Sequence, residues 1–312
     1  MSNIFNEKFL EIDDQNIINK IENTGFFFFE EAIKKEFLNQ ISNDLSGKEF
    51  GVNDNFSTPV VTRTQYYFTH ALTTSKNYFD LIISNKFLSL AKSKFNDKFR
   101  LKCHRYYETK YGHHMTWHAD NVDNQGNIHE NDGLIFIIYV NDVFDGEFQL
   151  IQGTNLKENH HERKLNYSSD KFVEENFADK VVSFKGKAGS IIVYDTWHLH
   201  RAKPINNKNF IRKSIFMQID QSMRNSEKII LTPDFINKDQ IKNLELMTYL
   251  GFGEKSDFPS APIASHKNLP IKSLVGLIYK SLIVSVKNMV KTILSKILTQ
   301  DQILKIVLKK KK

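Results

Sequence analysis

The chain has 312 residues, 40% hydrophobic and 25% charged, which excludes a disordered or fibrous protein and suits one large folded domain with an appendage. Its single cysteine, Cys103, excludes an intrachain disulfide and a cysteine-based zinc site and fits a reducing, cytoplasmic setting. The net charge of +7 is concentrated: residues 268–312 hold ten Lys against one acid, Asp301, so that segment carries +9 and leaves −2 for the rest. A nucleic-acid-binding core is therefore unsupported, because the basic surface belongs to the tail.

The N-terminus lacks the basic start and apolar run of a secretory signal. Phe9, Ile12, Ile17, Ile18 and Ile21 fall near helical spacing. Thr24-Gly25 breaks that pattern, and Phe26 to Phe29 read as a short buried strand. Helical spacing resumes over residues 30–45 through Ile33, Phe37, Leu38 and Ile41, and again over residues 76–94. From Arg100 the texture changes to strands, predicted over residues 101–111, 114–120, 134–140, 148–152, 181–184, 191–194 and 210–219 and separated by Gly, Asn and Asp clusters. Many short strands behind a helical start predict a mainly β fold, a barrel-like antiparallel domain with flanking helices.

After Gln221 the strands stop. Residues 221–267 read as a connecting subdomain with one helix over residues 239–249, and residues 268–312 as a basic amphipathic helical tail. In that tail Lys280, Lys287 and Lys291 share a helical face, while Ile278, Leu282, Val286, Val290, Ile293 and Ile297 supply much of the rest. Such a helix suits peripheral contact with an anionic membrane, self-association, or docking as a cap.

The chemistry concentrates in Thr116 to Asn121, TWHADN. On a strand, His118 and Asp120 point to one face. One imidazole and one carboxylate so placed can take adjacent positions on an octahedral iron, and a second His would complete a facial triad with three positions left for co-substrate and oxygen. The segment GSIIVYDTWHLHRAKPINNKNFIRKSIFMQID offers His198 and His200 for that place, and strand parity does not separate them. Arg212, twelve residues after His200, is placed to pair bidentately with the far carboxylate of 2-oxoglutarate, and Ser214 lies on the same strand face.

WHADN, His200 and Arg212, in that order, resemble the phytanoyl-CoA dioxygenase-like branch of the Fe(II)/2-oxoglutarate oxygenases. TGFFFFEEA, GEFQLIQGTN and AGSIIVYDTWHLHRA are similar to further stretches of that family, and the resemblance covers roughly residues 20–220. It implies a double-stranded β-helix (jelly-roll, cupin-like) over residues 1–220, with iron(II) on His118, Asp120 and His200 and 2-oxoglutarate on Arg212 and Ser214. It also implies oxidation of an unactivated C–H bond of a small molecule by O2, with release of succinate and carbon dioxide and ascorbate in support. The family position favours His200 over His198. The carboxylate of Asp120 favours hydroxylation over halogenation. Two departures stand out: Gly153-Thr154-Asn155 where the family has a Gly-Ser-His-like tripeptide, and Arg201-Ala202 after the distal His.

Two other readings compete. One is a non-catalytic, cupin-like binding module. The other is a zinc hydrolase built from the His104 to Asp120 cluster, which includes His113 and His114, and in which Arg212 would have no task. His160 and His161 lie in a polar stretch and read as solvated, Tyr106, Tyr107 and Trp117 as walls of a pocket or of the core, and residues 121–132 and 152–177 as the substrate-facing loops.

Overall fold

The computed structural model describes residues 4–45, 60–61, 64–68, 71–96, 99–113, 115–120, 132–154, 169–221, 229–252, 271–298 and 302. The chain divides into two compact units, one of Met1–Tyr167 with Asp179–Ser260, the other of Ser168–Ala178 with Ala261–Lys312.

The first unit is a double-stranded β-helix. A seven-stranded antiparallel sheet runs in the order β1 (Phe26–Phe29), β8 (Ile191–Asp195), β5 (Gly133–Tyr139), β10 (Arg212–Asp220), β4 (Arg100–Thr109), β3 (Gln65–Phe68), β2 (Val60–Val61). A three-stranded sheet is ordered β7 (Val181–Gly186), β6 (Val143–Ile151), β9 (His200–Ala202).

Alternation along the strands sorts the two faces of the large sheet. Leu134, Phe136 and Ile138 of β5, Ile191 and Val193 of β8, and Ile215, Met217 and Ile219 of β10 enter one large core with the helices. Those helices are α1 (Glu7–Leu10), α2 (Asp14–Thr24), α3 (Lys35–Leu45), α4 (Lys76–Ile82), α5 (Asn85–Phe95) and, after the last strand, α7 (Lys238–Lys242) and α8 (Leu244–Tyr249). The opposite face meets the small sheet through Ile135, Tyr139, Ile192 and Tyr194 against Phe148, Leu150 and Phe184. Tyr139 ties the sheets together: its hydroxyl donates to the Phe184 carbonyl at 2.7 Å and accepts from the Phe148 amide at 2.9 Å.

Several elements differ from their sequence reading. The single helix expected over residues 76–94 is two, because Ser84 adopts extended backbone between α4 and α5. The helix expected over residues 239–249 is also two: Asn237 and Gln240 form a capping box for α7, and Asn243 caps α8 anew. The strand expected over residues 114–120 reduces, among the described residues, to isolated bridges at Trp117 and His118, that of His118 antiparallel to His200. The short strands β2, β3 and β9 are not read from the sequence, since they lack the four-residue apolar run that marks β1.

The second unit holds α6 (Asp170–Phe177), N-capped by Ser169, and α9 (Ile271–Ile297). Residues 170–177, expected as loop, are thus helical. No helix among the described residues is long and apolar enough to cross a membrane.

Candidate metal centre

His118 and His200 are locked to each other by backbone. The His118 amide donates to the His200 carbonyl at 3.0 Å, and the His200 amide donates back to the His118 carbonyl at 2.8 Å. This reciprocal pair brings the two rings to a centroid separation of 4.4 Å. Each ring is then oriented by a carbonyl two residues earlier in the chain. His118 Nδ1 donates to the Thr116 carbonyl at 2.8 Å, and His200 Nδ1 donates to the His198 carbonyl at 3.0 Å. A carbonyl only accepts, so both rings carry a proton on Nδ1, and each neutral ring presents the Nε2 lone pair.

Those two Nε2 atoms and the Asp120 carboxylate converge. His118 Nε2 lies 3.8 Å from Asp120 Oδ1, and His200 Nε2 lies 3.3 Å from Asp120 Oδ2. One ligand atom from each residue lies within 4.8 Å of the others, the only such His/Cys/Asp/Glu group among the described residues. Burial pushes the His118 imidazole down to about 4, and the neighbouring His200 acts in the same direction. Burial would raise the Asp120 carboxyl, but His200, His118 and Lys102 hold it down at about 2. Asp120 Oδ2 is buried without a hydrogen-bond donor. With its proton on Nδ1, the His200 ring turns an Nε2 lone pair toward that oxygen, acceptor against acceptor, and a cation held between His118, Asp120 and His200 would satisfy both.

His198 points elsewhere. Its Nδ1 pairs with Asp195 Oδ1 at 2.7 Å, and a Cβ on Gly25 would fall 2.5 Å from its Nε2. The parity argument failed because residues 196–199 form a turn, and β9 begins only at His200. Thr154 steadies that turn: its hydroxyl donates to the Ile151 carbonyl and accepts from the Leu199 amide at 3.1 Å.

The triad opens into a cavity of about 290 Å³ between the two sheets. Arg212 and Ser214 line it from β10, together with Phe216 and Gln218. Arg212 is buried. Its Nη1 donates to the Gly146 carbonyl, and its Nη2 reaches Thr109 Oγ1 at 3.5 Å. Gly146 presents that carbonyl from an irregular stretch of β6 at φ +68°, where a Cβ would fall 2.2 Å from Ile205. Burial pulls the guanidinium below its usual range, opposed by Tyr139, Glu147 and Tyr107. Among the described residues no carboxylate lies within ion-pair distance of Arg212; nearby Glu147 binds Lys203 at 3.2 Å. A buried guanidinium partnered by a carbonyl and a hydroxyl is set to receive an anion from the cavity.

No family model matches this sequence, and no curated protein matches it. Solved structures do match its fold. HygX from Streptomyces hygroscopicus, with nickel and 2-oxoglutarate bound, superposes with a TM-score of 0.52 at 12% identity, over 71% of this chain and 93% of that one. The same protein with nickel, 2-oxoglutarate and hygromycin B bound superposes with a TM-score of 0.53 at 12% identity, over 71% and 94%. The likeness is one of fold, a jelly-roll core with flanking helices.

Sequence reasoning missed part of the cavity wall. Cys103 and Arg105 of β4 line it beside Tyr107, an expected wall residue, whereas Tyr106 lies in the helical core. The parity of β4 would have separated them once Tyr106 was assigned to the core. Trp117 sits outside the cavity lining, under the Arg201 guanidinium at 4.5 Å from the ring centroid. His104 is buried beside Tyr78, and His113 bonds Thr64; neither joins a metal-ligand group among the described residues. His114, His160, His161, Asn155 and residues 121–131 and 155–168 of the expected substrate loops lie outside the described residues.

Proposed function

We propose that the protein is a non-haem Fe(II)- and 2-oxoglutarate-dependent oxygenase of the phytanoyl-CoA dioxygenase-like type, hydroxylating an unactivated C–H bond of a small molecule. The observation that carries the reading is the pairing of two features in one cavity: a convergent His118–Asp120–His200 cluster and a buried Arg212 that meets no carboxylate among the described residues. The triad alone would suit several metals. A buried cation across the same cavity selects a ligand that chelates at one end and is anionic at the other, which describes 2-oxoglutarate.

Iron(II) and 2-oxoglutarate, when bound, supply the oxidising chemistry with O2. The residues of the chain bind and orient. His118, Asp120 and His200 hold the metal, with the ring planes fixed by the carbonyls of Thr116 and His198. Arg212 pairs with the distal carboxylate, and Ser214, on the same face of β10, donates a further hydrogen bond. Ile137, Phe148 and Phe216 give the cavity apolar walls that exclude water. A small-molecule prime substrate is supported by the HygX complex that holds hygromycin B.

Turnover tests the reading. Purified protein with iron(II), ascorbate and 2-oxoglutarate should release succinate slowly, and a metabolite panel should contain a compound that accelerates release. His118→Ala and Asp120→Ala should abolish it. Full turnover in both variants would sink the ligand assignment. Absence of both iron(II) and 2-oxoglutarate binding would instead support the non-catalytic binding module.

A further inference from the structure

The long helix α9 has no part in that chemistry, and its pattern is specific. Seven of its exposed apolar side chains recur as Val275, Ile278 and Leu282, then Val286, Met289 and Ile293, and close at Ile297, with Tyr279 and Val290 beside them and Val284 on the other side. The steps are three, four, four and again three, four, four, an eleven-residue repeat. Eleven residues nearly complete three turns, so the stripe runs almost straight along the helix. All seven side chains are exposed, Leu282 at 61% and Ile297 at 72%. On the opposite side stand Lys280, Lys287 and Lys291, also exposed, and no Asp or Glu occurs between residues 268 and 300.

We propose that α9 is a membrane-surface helix that lies in the headgroup region of an anionic lipid bilayer. Two features favour this occupant over a second copy of the chain. A left-handed zipper needs alternating steps of three and four, which this stripe does not keep, so a second copy would have to pair by the less common right-handed supercoil. A helix without acids also offers none of the Lys–Glu pairs that flank and fix a helix–helix seam. A bilayer asks for neither register nor complementary acids. It needs a continuous apolar face, a basic polar face and length, and α9 offers about 40 Å. The lysines in the middle turns also oppose a spanning orientation, since each cation at the bilayer centre costs about 3 kcal/mol.

The test uses the full chain and sedimentation with vesicles, either pure phosphatidylcholine or phosphatidylcholine with about one-third phosphatidylglycerol. The anionic vesicles should carry the protein down, with partition at least tenfold weaker on neutral ones and weakening as salt is raised. Lys280→Glu/Lys287→Glu/Lys291→Glu should lose the anionic preference. Leu282→Asp/Met289→Asp should lose binding altogether. Both variants should keep the thermal transition of the β-helix, which separates loss of binding from loss of fold. Three results would each overturn the proposal: a chain that stays in the supernatant with anionic vesicles, binding that resists both high salt and alkaline wash, or a solution dimer that Leu282→Asp/Met289→Asp dissolves.

Discussion

Nε2 of His200 stands 3.3 Å from Oδ2 of Asp120, and with its Nδ1 proton on the His198 carbonyl the neutral ring turns a lone pair toward that oxygen. This contact is costly without a cation and favourable with one. Metal binding should therefore stabilise the fold strongly. Thermal unfolding under anaerobic conditions should show a rise in Tm on adding iron(II), equivalent to about 2.7 kcal/mol at a hundredfold excess over Kd. Asp120→Ala should remove the rise. An equal rise in that variant would place the metal elsewhere.

Arg212 allows a prediction of opposite sign for stability and binding. Its guanidinium is buried with a carbonyl and a hydroxyl as partners, so it is held at a cost until an anion arrives. Arg212→Met should leave the ligand-free protein as stable as the parent or more so. It should raise the apparent KM for 2-oxoglutarate by about 10- to 100-fold, since hydrogen bonds to charged groups contribute about 1.5–3 kcal/mol. Iron(II) affinity without co-substrate should stay within a few-fold. An unchanged KM would remove Arg212 from the co-substrate site.

The fold class was legible in the sequence because it rests on period-two strands, as was the grouping of His118 with Asp120, two residues apart. The choice between His198 and His200 was not, because it depends on where the turn after β8 ends. Strand parity presumed a strand through residues 196–199, where the chain instead turns His198 onto Gly25. Arg105 and Cys103 were invisible for a related reason. Which side of β4 faces the small sheet is decided by Tyr106 packing among the helices, a contact between residues distant in sequence.

Gly25 should be intolerant of any side chain. It caps α2 at φ +88°, and a Cβ there would fall 2.5 Å from His198 Nε2. His198 is held by Asp195 on its other nitrogen and cannot simply rotate away. Gly25→Ala should cost roughly 1–3 kcal/mol in urea unfolding, the range for a residue forced into left-handed backbone. Because the His198 carbonyl orients His200, iron(II) affinity should fall as well. Normal metal affinity in a destabilised variant would show that the turn can move without disturbing His200.

The metal-free protein should lose stability as acid is added, in a window set by the triad. Burial holds the His118 imidazole at about 4 in the folded chain, against about 6.5 for an unperturbed histidine. Between those values the unfolded chain binds more protons, so stability rises with pH across the window and is fully present above its upper edge. Asp120, held at about 2, acts in the same direction below about 4. Stability should thus be flat from neutral pH down to about 6.5, then decline by at most about 3 kcal/mol toward pH 4. His118→Gln should flatten that decline in urea titrations across the range. Saturating iron(II) should steepen it, because protons then also compete with the metal for Nε2. A decline of equal size in His118→Gln would move its origin away from the triad.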